Sequence, residues 1–222
     1  MAWARPKTLV SGDVVVRALR RRDEDAWLDL RERNRAWLRP WEATEPPGRM
    51  PKSMGFRALV RRDRRQWKRG RSFNMVIVVR GELIGRVCVT GIEWGSARTG
   101  SLGYWIDQGH AGRGIVPVAA ALLTQSAFDL GLHRVEIATR PENAASLKVA
   151  DKLGFRDEGI KRRYLYVDGG WRDHRAFALT VEEKRVGEVW EGLKTGNPRR
   201  RLSGSEGNPP DTPRPSEGEP RA

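Results

Sequence analysis

The run Trp105-Ile106-Asp107-Gln108-Gly109-His110-Ala111-Gly112-Arg113-Gly114-Ile115 has residue types and spacing suited to holding an anion. It reads as a strand end, a glycine-rich turn and a helix start. The first amides of a helix have no intrahelical acceptor, and the helix dipole adds positive potential there. Together these features hold phosphate groups. Glycines let the backbone approach closely, and Pro117 suits a first helical turn, where its missing N–H costs little. The same glycines also serve an ordinary turn, so the segment alone leaves both readings open. It is not a dinucleotide fingerprint, which would need glycine at Pro117 and an acidic residue ending a following strand about 20 positions on. It is not a P-loop, because no Gly-Lys-Ser/Thr follows.

The elements around this turn follow from periodicity. Asp13 to Leu19 reads as a first strand. Asp23 is placed to cap a helix whose apolar side is Trp27, Leu30, Trp37 and Leu38. Pro40, Pro46, Pro47 and Pro51 mark a stiff loop. A second helix carries Phe56, Leu59, Val60 and Trp67 on one side and Arg57, Arg61, Arg64, Arg65 and Lys68 on the other. Met75 to Val79 and Leu83 to Thr90 are strands joined at Gly81-Glu82, a pattern for a type II′ turn. Ser101 to Ile106 is a further strand. A helix from Ile115 to Leu130, a strand over Arg134 to Thr139 and a helix over Asn143 to Leu153 follow, the last closed by Gly154 as a C′ glycine. Phe155 to Val167 and Trp171 to Val181 form a final hairpin around Gly169-Gly170. The order β-α-α-β-β-β-α-β-α-β-β predicts a mixed α/β (α+β) domain with one parallel crossover.

Composition bounds the rest. The 222 residues hold 42 Lys+Arg against 28 Asp+Glu, a net charge of +14. One cysteine, Cys88, rules out an internal disulfide, and with only three histidines a Cys-rich zinc site is not expected. The longest apolar run, Ile115 to Leu123, is far shorter than the roughly 18 residues of a membrane span. No apolar signal region opens the chain, so a cytoplasmic location is expected. Residues 187–222 are rich in Pro, Gly and Arg, with balanced charge and few large apolar side chains. They are expected to form a mostly disordered tail, with Val189 and Trp190 docking back, beyond a domain over 12–186. The first 80 residues carry 21 Lys+Arg and 9 Asp+Glu. That basic face is either a solvated surface or an attractor for rRNA, the ribosome or an acidic protein.

Taken in order, Gly103-Tyr104-Trp105, Gly112-Arg113-Gly114, Leu132-His133-Arg134-Val135-Glu136, Arg140-Pro141-Glu142-Asn143-Ala144-Ala145-Ser146, Lys152-Leu153-Gly154-Phe155 and Gly170-Trp171-Arg172-Asp173-His174 resemble the GNAT family of acetyl-CoA-dependent N-acetyltransferases. The Leu38-Arg39-Pro40-Trp41-Glu42 stretch is similar to the RimJ/RimL branch, the ribosomal-protein N-terminal acetyltransferases. The resemblance covers about residues 12–185. It implies a GNAT fold, with a central sheet splayed between strands 101–106 and 134–139, and acetyl-CoA in the opening without a metal. The pyrophosphate would meet the amides of Ala111, Gly112, Arg113, Gly114, Ile115 and Val116. The family's loop has Gln or Arg where Ala111 stands and Gly or Ala where Val116 stands.

The implied acceptor is a protein N-terminal amine, of alanine or serine in a ribosomal protein. A small-molecule amine, or a basic ribosome- or RNA-binding role on a weakly active scaffold, is the alternative. An α-amino group titrates near 8 and lysine near 10.4, so an N-terminus needs only a modest base. Ile106 or Asp107 would polarise the thioester carbonyl through a backbone N–H. The resemblance places Asn143 against the pantetheine and Ser146 near the CoA sulfur, as donor to the leaving thiolate. Many family members carry a tyrosine where Ala150 stands here. By spacing alone Asn143 is an N-cap and Ser146 a helix-surface residue. Glu136 and Glu93 are candidate bases, each holding a water, or plain surface carboxylates. Tyr164 and Tyr166 either line the acceptor end or pack, and His110 and His174 are not favoured.

Overall fold

The structure, a computed structural model, describes residues 6–48 and 54–183. Pro51 and the expected tail, with Val189 and Trp190, lie outside the described residues. Eight strands form one sheet: β1 (Leu9–Ser11), β2 (Val14–Arg17), β3 (Phe73–Val79), β4 (Glu82–Glu93), β5 (Thr99–Ile106), β6 (Arg134–Thr139), β7 (Arg156–Val167) and β8 (Gly170–Thr180). Their spatial order is β1-β2-β3-β4-β5-β6-β8-β7. Only β5 and β6 run parallel, which makes their junction the crossover expected from the sequence.

Side-chain alternation divides the apolar residues between two faces. Phe73, Met75, Ile77, Val87, Val89, Leu102, Val135 and Ile137 face the larger core, closed by α4 (Ile115–Asp129) and α5 (Ala144–Lys152). Val76, Val78 and Leu83 face a smaller one, closed by α1 (Glu24–Arg33) and α3 (Phe56–Lys68). In α4, Ala119, Ala120, Ala121, Leu123 and Ala127 are fully buried, and their small side chains let the helix lie close on the sheet. In α3, Phe56, Val60, Asp63 and Trp67 share the buried stripe at helical spacing. The carboxylate in that stripe is compensated: Arg86 of β4 donates to Asp63 Oδ2 at 2.9 Å and stacks its guanidinium over Trp27, 5.5 Å from the ring centroid.

Several expectations need correction. The first strand is a hairpin, β1 and β2, turning at Gly12, whose φ of 55° suits glycine. The first helix is two: it breaks at Asn34 before α2 (Arg35–Leu38), because that buried side chain donates to Leu30 O (2.9 Å) and to Asp107 (2.6 Å). Asp23 precedes α1 but does not cap it with its side chain. Its carboxylate instead accepts from the Arg20 N–H and the Arg17 guanidinium. The β3–β4 turn is centred on Arg80-Gly81, at φ 51° and 85°, with Val79 opposite Glu82. Two positive φ values define a type I′ turn, not the II′ turn expected at Gly81-Glu82. The last hairpin likewise turns at Asp168-Gly169 rather than Gly169-Gly170. Gly154 is the expected C′ residue: its N–H bonds Asp151 O (2.9 Å) and that of Phe155 bonds Ala150 O (3.0 Å), a Schellman pair. No helix among the described residues is long and apolar enough to cross a membrane.

Candidate active site

The site begins where the sheet fails to close. β5 and β6 pair only through Thr99–Arg134, Gly100–Val135 and Ser101–Glu136. Beyond that register β5 continues to Ile106 and β6 to Thr139 without a partner between them. The result is a wedge whose edges offer backbone N–H and C=O groups to an extended ligand. The Asp107 N–H donates to Ile84 O of β4 at 2.7 Å. Alternation along the strand therefore turns the Ile106 amide the other way, toward the wedge. Of the two residues proposed to polarise a carbonyl, Ile106 keeps that possibility. Asp107 does not, because its amide is already used.

Asp107 has a structural task instead. Its carboxylate is buried and accepts from Arg33 Nε (3.2 Å), Asn34 Nδ2 (2.6 Å) and His110 Nδ1 (3.0 Å). Burial alone would raise its pKa, but these donors outweigh it and hold the carboxyl at about 2. Asn34 Oδ1 accepts the Gln108 N–H at 2.8 Å. The break between α1 and α2 is thereby bolted to the start of the glycine-rich turn. Glu82, Asp107 and His110 converge closely enough to suggest a cation site. The Arg33 guanidinium, bonded to both carboxylates, already supplies the positive charge.

Past this bolt the turn becomes an anion cradle. The Ala111 N–H is spent on Gln108 O (3.1 Å), so the cradle begins one residue later than expected. Gly112 and Gly114 sit at φ 76° and 74° on either side of Arg113, the alternation that makes a nest of amides. Among the described residues no acceptor meets the amides of Gly112, Arg113 or Gly114. Ile115 and Val116 open α4, so their N–H groups have no intrahelical acceptor either. The side chains of Ala111, Ile115 and Val116 pack toward the larger core. The departures from the family loop at Ala111 and Val116 thus leave the amides clear. These residues suit a pyrophosphate.

Opposite the wedge, α5 starts with Asn143, whose Oδ1 accepts the Ser146 N–H at 3.0 Å. Asn143 is the N-cap expected from spacing. Ser146, half-buried in the first turn, meets a partner the sequence did not disclose: Tyr104 of β5, whose hydroxyl lies 2.8 Å from Ser146 Oγ. Burial pushes the Tyr104 phenol up to about 12, against a smaller opposite effect of the bond to Ser146. Alternation already placed Tyr104 on the face of Leu102 and Ile106. That α5 lays a serine over it is a tertiary fact. Ala150 is fully buried, so it exposes nothing in place of the tyrosine common at that position.

Of the carboxylates chosen as bases, one is engaged and the other lies away from the wedge. Glu136 lies at the point where the strands part, on the face away from α5. It accepts from Arg134 (2.9 Å) and Lys161 (3.3 Å). Burial acts to raise its pKa, yet these cations hold it below the usual value, the wrong direction for a base. Glu93 is exposed and opposite Thr99, at the closed end of the β5–β6 pair. His174 is nearly inaccessible and lies at the open end. Its Nδ1 is 3.0 Å from Arg172 O, and since a carbonyl only accepts, Nδ1 carries the proton. Burial lowers its pKa, against a smaller opposite effect of the bond to Arg172 O. Tyr164 packs edge-on against His174, and Tyr166 against Trp171. The Pro40–Thr44 segment rests on this end: Arg140 donates to Pro40 O (2.9 Å) and lies over Trp41, and the Thr44 N–H bonds Tyr166 O (2.9 Å).

Comparison with known proteins agrees with this geometry. The family model described as acetyltransferase (GNAT) domain matches residues 13–156. The chain is 32% identical over 184 residues to the ribosomal protein uS5-alanine N-acetyltransferase of Escherichia coli, covering 80% of this chain and 93% of that one. It is 40% identical over 98 residues to the probable N-acetyltransferase YjcK of Bacillus subtilis, a match spanning 44% of this chain and about half (54%) of that relative. Mycobacterium smegmatis RimJ, solved in complex with CoA-disulfide, superposes with a TM-score of 0.76 at 32% identity, covering 86% of this chain and 94% of the other. A parted β5–β6 pair, a glycine-rich cradle before α4 and these matches agree: the chain belongs to the GNAT family of acetyltransferases.

Proposed function

We propose that the protein transfers the acetyl group of acetyl-CoA to the α-amino group of a protein N-terminus, with a ribosomal protein beginning with alanine or serine as acceptor. The observation that carries the reading is the wedge between β5 and β6, with unpartnered amides at one end and the Ser146 hydroxyl beside it. The pyrophosphate binds the Gly112–Val116 amides, and the pantetheine adds along the unpaired strand edges near Asn143. The Ile106 N–H bonds the thioester oxygen and stabilises the charge that grows there as the amine attacks. Ser146 donates to the departing sulfur. The candidate carboxylates are tied up or distant, which suits an amine that is about one-tenth neutral at pH 7 better than a lysine, neutral to well under a thousandth. The likeness to the uS5-alanine acetyltransferase supports the same acceptor class.

The test is acetyl transfer to peptides beginning with Ala, Ser or Thr, set against pre-acetylated and lysine-only controls. Modification confined to the free N-termini is expected. Equal modification of lysine-only peptides, or activity on small amines alone, overturns the acceptor assignment.

A second element of the reading concerns α3. Arg61, Arg64, Arg65 and Lys68 are exposed on its outer side, and none has an ionic partner among the described residues. Such a face attracts a polyanion, and rRNA around the acceptor protein would provide one.

A further inference from the structure

We propose that Tyr104 is a positioning residue for the leaving-group step: it holds the Ser146 hydroxyl so that its proton points at the CoA sulfur. The inference rests on Ser146 as donor to that sulfur. Tyr104 and Ser146 come from different elements, β5 and α5, and meet where β5 has lost its partner strand. The phenol oxygen lies 2.8 Å from Ser146 Oγ and 3.4 Å from Ser146 O. No other polar group among the described residues contacts it.

Burial keeps the phenol protonated throughout the working pH range. A protonated phenol has one proton to give, and both acceptors in reach belong to Ser146. The nearer is Oγ. When Tyr104 donates to Oγ, the serine proton must point elsewhere. The helix backbone is pinned by the Ser146 N–H to Asn143 Oδ1 bond, so the hydroxyl has few directions left. One is the wedge. A serine alone on a first helical turn rotates freely or bonds back to a carbonyl of its own helix. The Tyr104 hydroxyl at 2.8 Å ends the free rotation, and no bond from Ser146 Oγ back to a helix carbonyl forms among the described residues.

The step balances as follows. The amine nitrogen forms a bond to the acetyl carbon, and the C–S bond breaks with its electron pair going to sulfur. Ser146 Oγ–H donates to that sulfur and delivers its proton. Ser146 regains one from the nitrogen, which must lose a proton to become an amide. Tyr104 keeps its own proton and stabilises the negative charge that develops on Oγ. The products are the N-acetylated chain and the free CoA thiol.

The experiment measures CoA release with a thiol reagent in single turnovers, using an alanine-initiated peptide, together with acetyl-CoA affinity by calorimetry. Tyr104→Phe removes only the hydroxyl. Its single-turnover rate is expected to fall about 2- to 12-fold, the range for one neutral hydrogen bond, with acetyl-CoA affinity unchanged. Ser146→Ala should fall further, and the Tyr104→Phe/Ser146→Ala double variant should be no slower than Ser146→Ala. Unchanged affinity in Tyr104→Phe shows that the variant is folded. A wild-type rate for Tyr104→Phe alongside a slow Ser146→Ala would overturn the role given to Tyr104 and leave Ser146 standing. Losses that multiply in the double variant also overturn it, since Tyr104 would then act without Ser146. A wild-type rate for Ser146→Ala removes the serine reading itself, and Tyr104 with it.

Discussion

At the scale of single residues, the proposed site is built from backbone amides and neutral hydroxyls, with charged side chains holding its frame. Gly112 shows what the backbone contributes. A Cβ there would meet nothing within 4 Å, but its φ of +76° strains any other residue. Gly112→Ala and Gly112→Glu therefore carry the same strain, about 1–2 kcal/mol. Only glutamate brings negative charge to the cradle. Calorimetry should show acetyl-CoA binding nearly lost in Gly112→Glu and largely kept in Gly112→Ala. Equal affinities would mean that the phosphates bind elsewhere. Asp107 shows what the frame contributes. Its folded pKa, about 2, lies below the 3.8 of an unperturbed aspartate. A depressed carboxyl stabilises the fold fully above the unfolded value, and the contribution fades as pH falls through the folded one. The shift corresponds to a contribution on the order of 2 kcal/mol. Asp107→Asn should lose about that much at pH 6, and its deficit relative to the parent should shrink between pH 4 and 2. Urea unfolding across that range measures it.

At the scale of elements, two joints keep the wedge in shape. One is the close approach of β4 to β5 at Gly85, where a Cβ would come within 2.4 Å of Trp105 O, one residue before Ile106. The other fixes α3 to the sheet through Asp63 and Arg86, both nearly buried. Removing one member of a buried pair leaves the other charge uncompensated, at a cost of about 3–5 kcal/mol. Asp63→Ala should destabilise the protein at the lower end of that range, because Arg86 keeps its contact with Trp27. The loss in an Asp63→Ala/Arg86→Ala variant should be smaller than the sum of the two single losses. Chemical denaturation of the four proteins checks both statements. Additive losses would show that the pair contributes nothing as a pair.

At the scale of the whole molecule, charge is distributed unevenly. The chain carries +14, and on the exposed side of α3 Arg61, Arg64, Arg65 and Lys68 meet no anion among the described residues. Attraction between exposed charges is screened over about 8–10 Å at physiological salt. Acetylation of a ribosome-derived acceptor should therefore weaken as salt rises, through KM more than kcat. Replacing Arg61, Arg64 and Arg65 with Gln should reproduce that loss while acetyl-CoA affinity stays constant. A KM insensitive to both would show α3 to be merely a solvated face.

The sequence by itself determined the elements and their order in the middle of the chain. Local chemistry sufficed there: a β-branched apolar run for β3, a capping asparagine and a C′ glycine around α5, and glycines before α4. The glycine-rich turn and the helix start after it were legible too, but the directions of the Gly112, Arg113 and Gly114 amides follow from the positive φ of the two glycines, and the Ala111 N–H expected among them is spent on Gln108 O. Local pattern failed where a distant group intervened. Asn34 breaks the first helix because Asp107, seventy-three positions later, is there to bond it. Glu136 reads as a free mid-strand carboxylate until β7 brings Lys161 beside it. Tyr104 and Ser146 are forty-two residues apart and meet only because β5 and β6 part beneath α5. Spacing along a chain fixes which face a side chain takes within its own element. Which two faces then touch depends on how the elements pack, and that the tertiary structure alone decided.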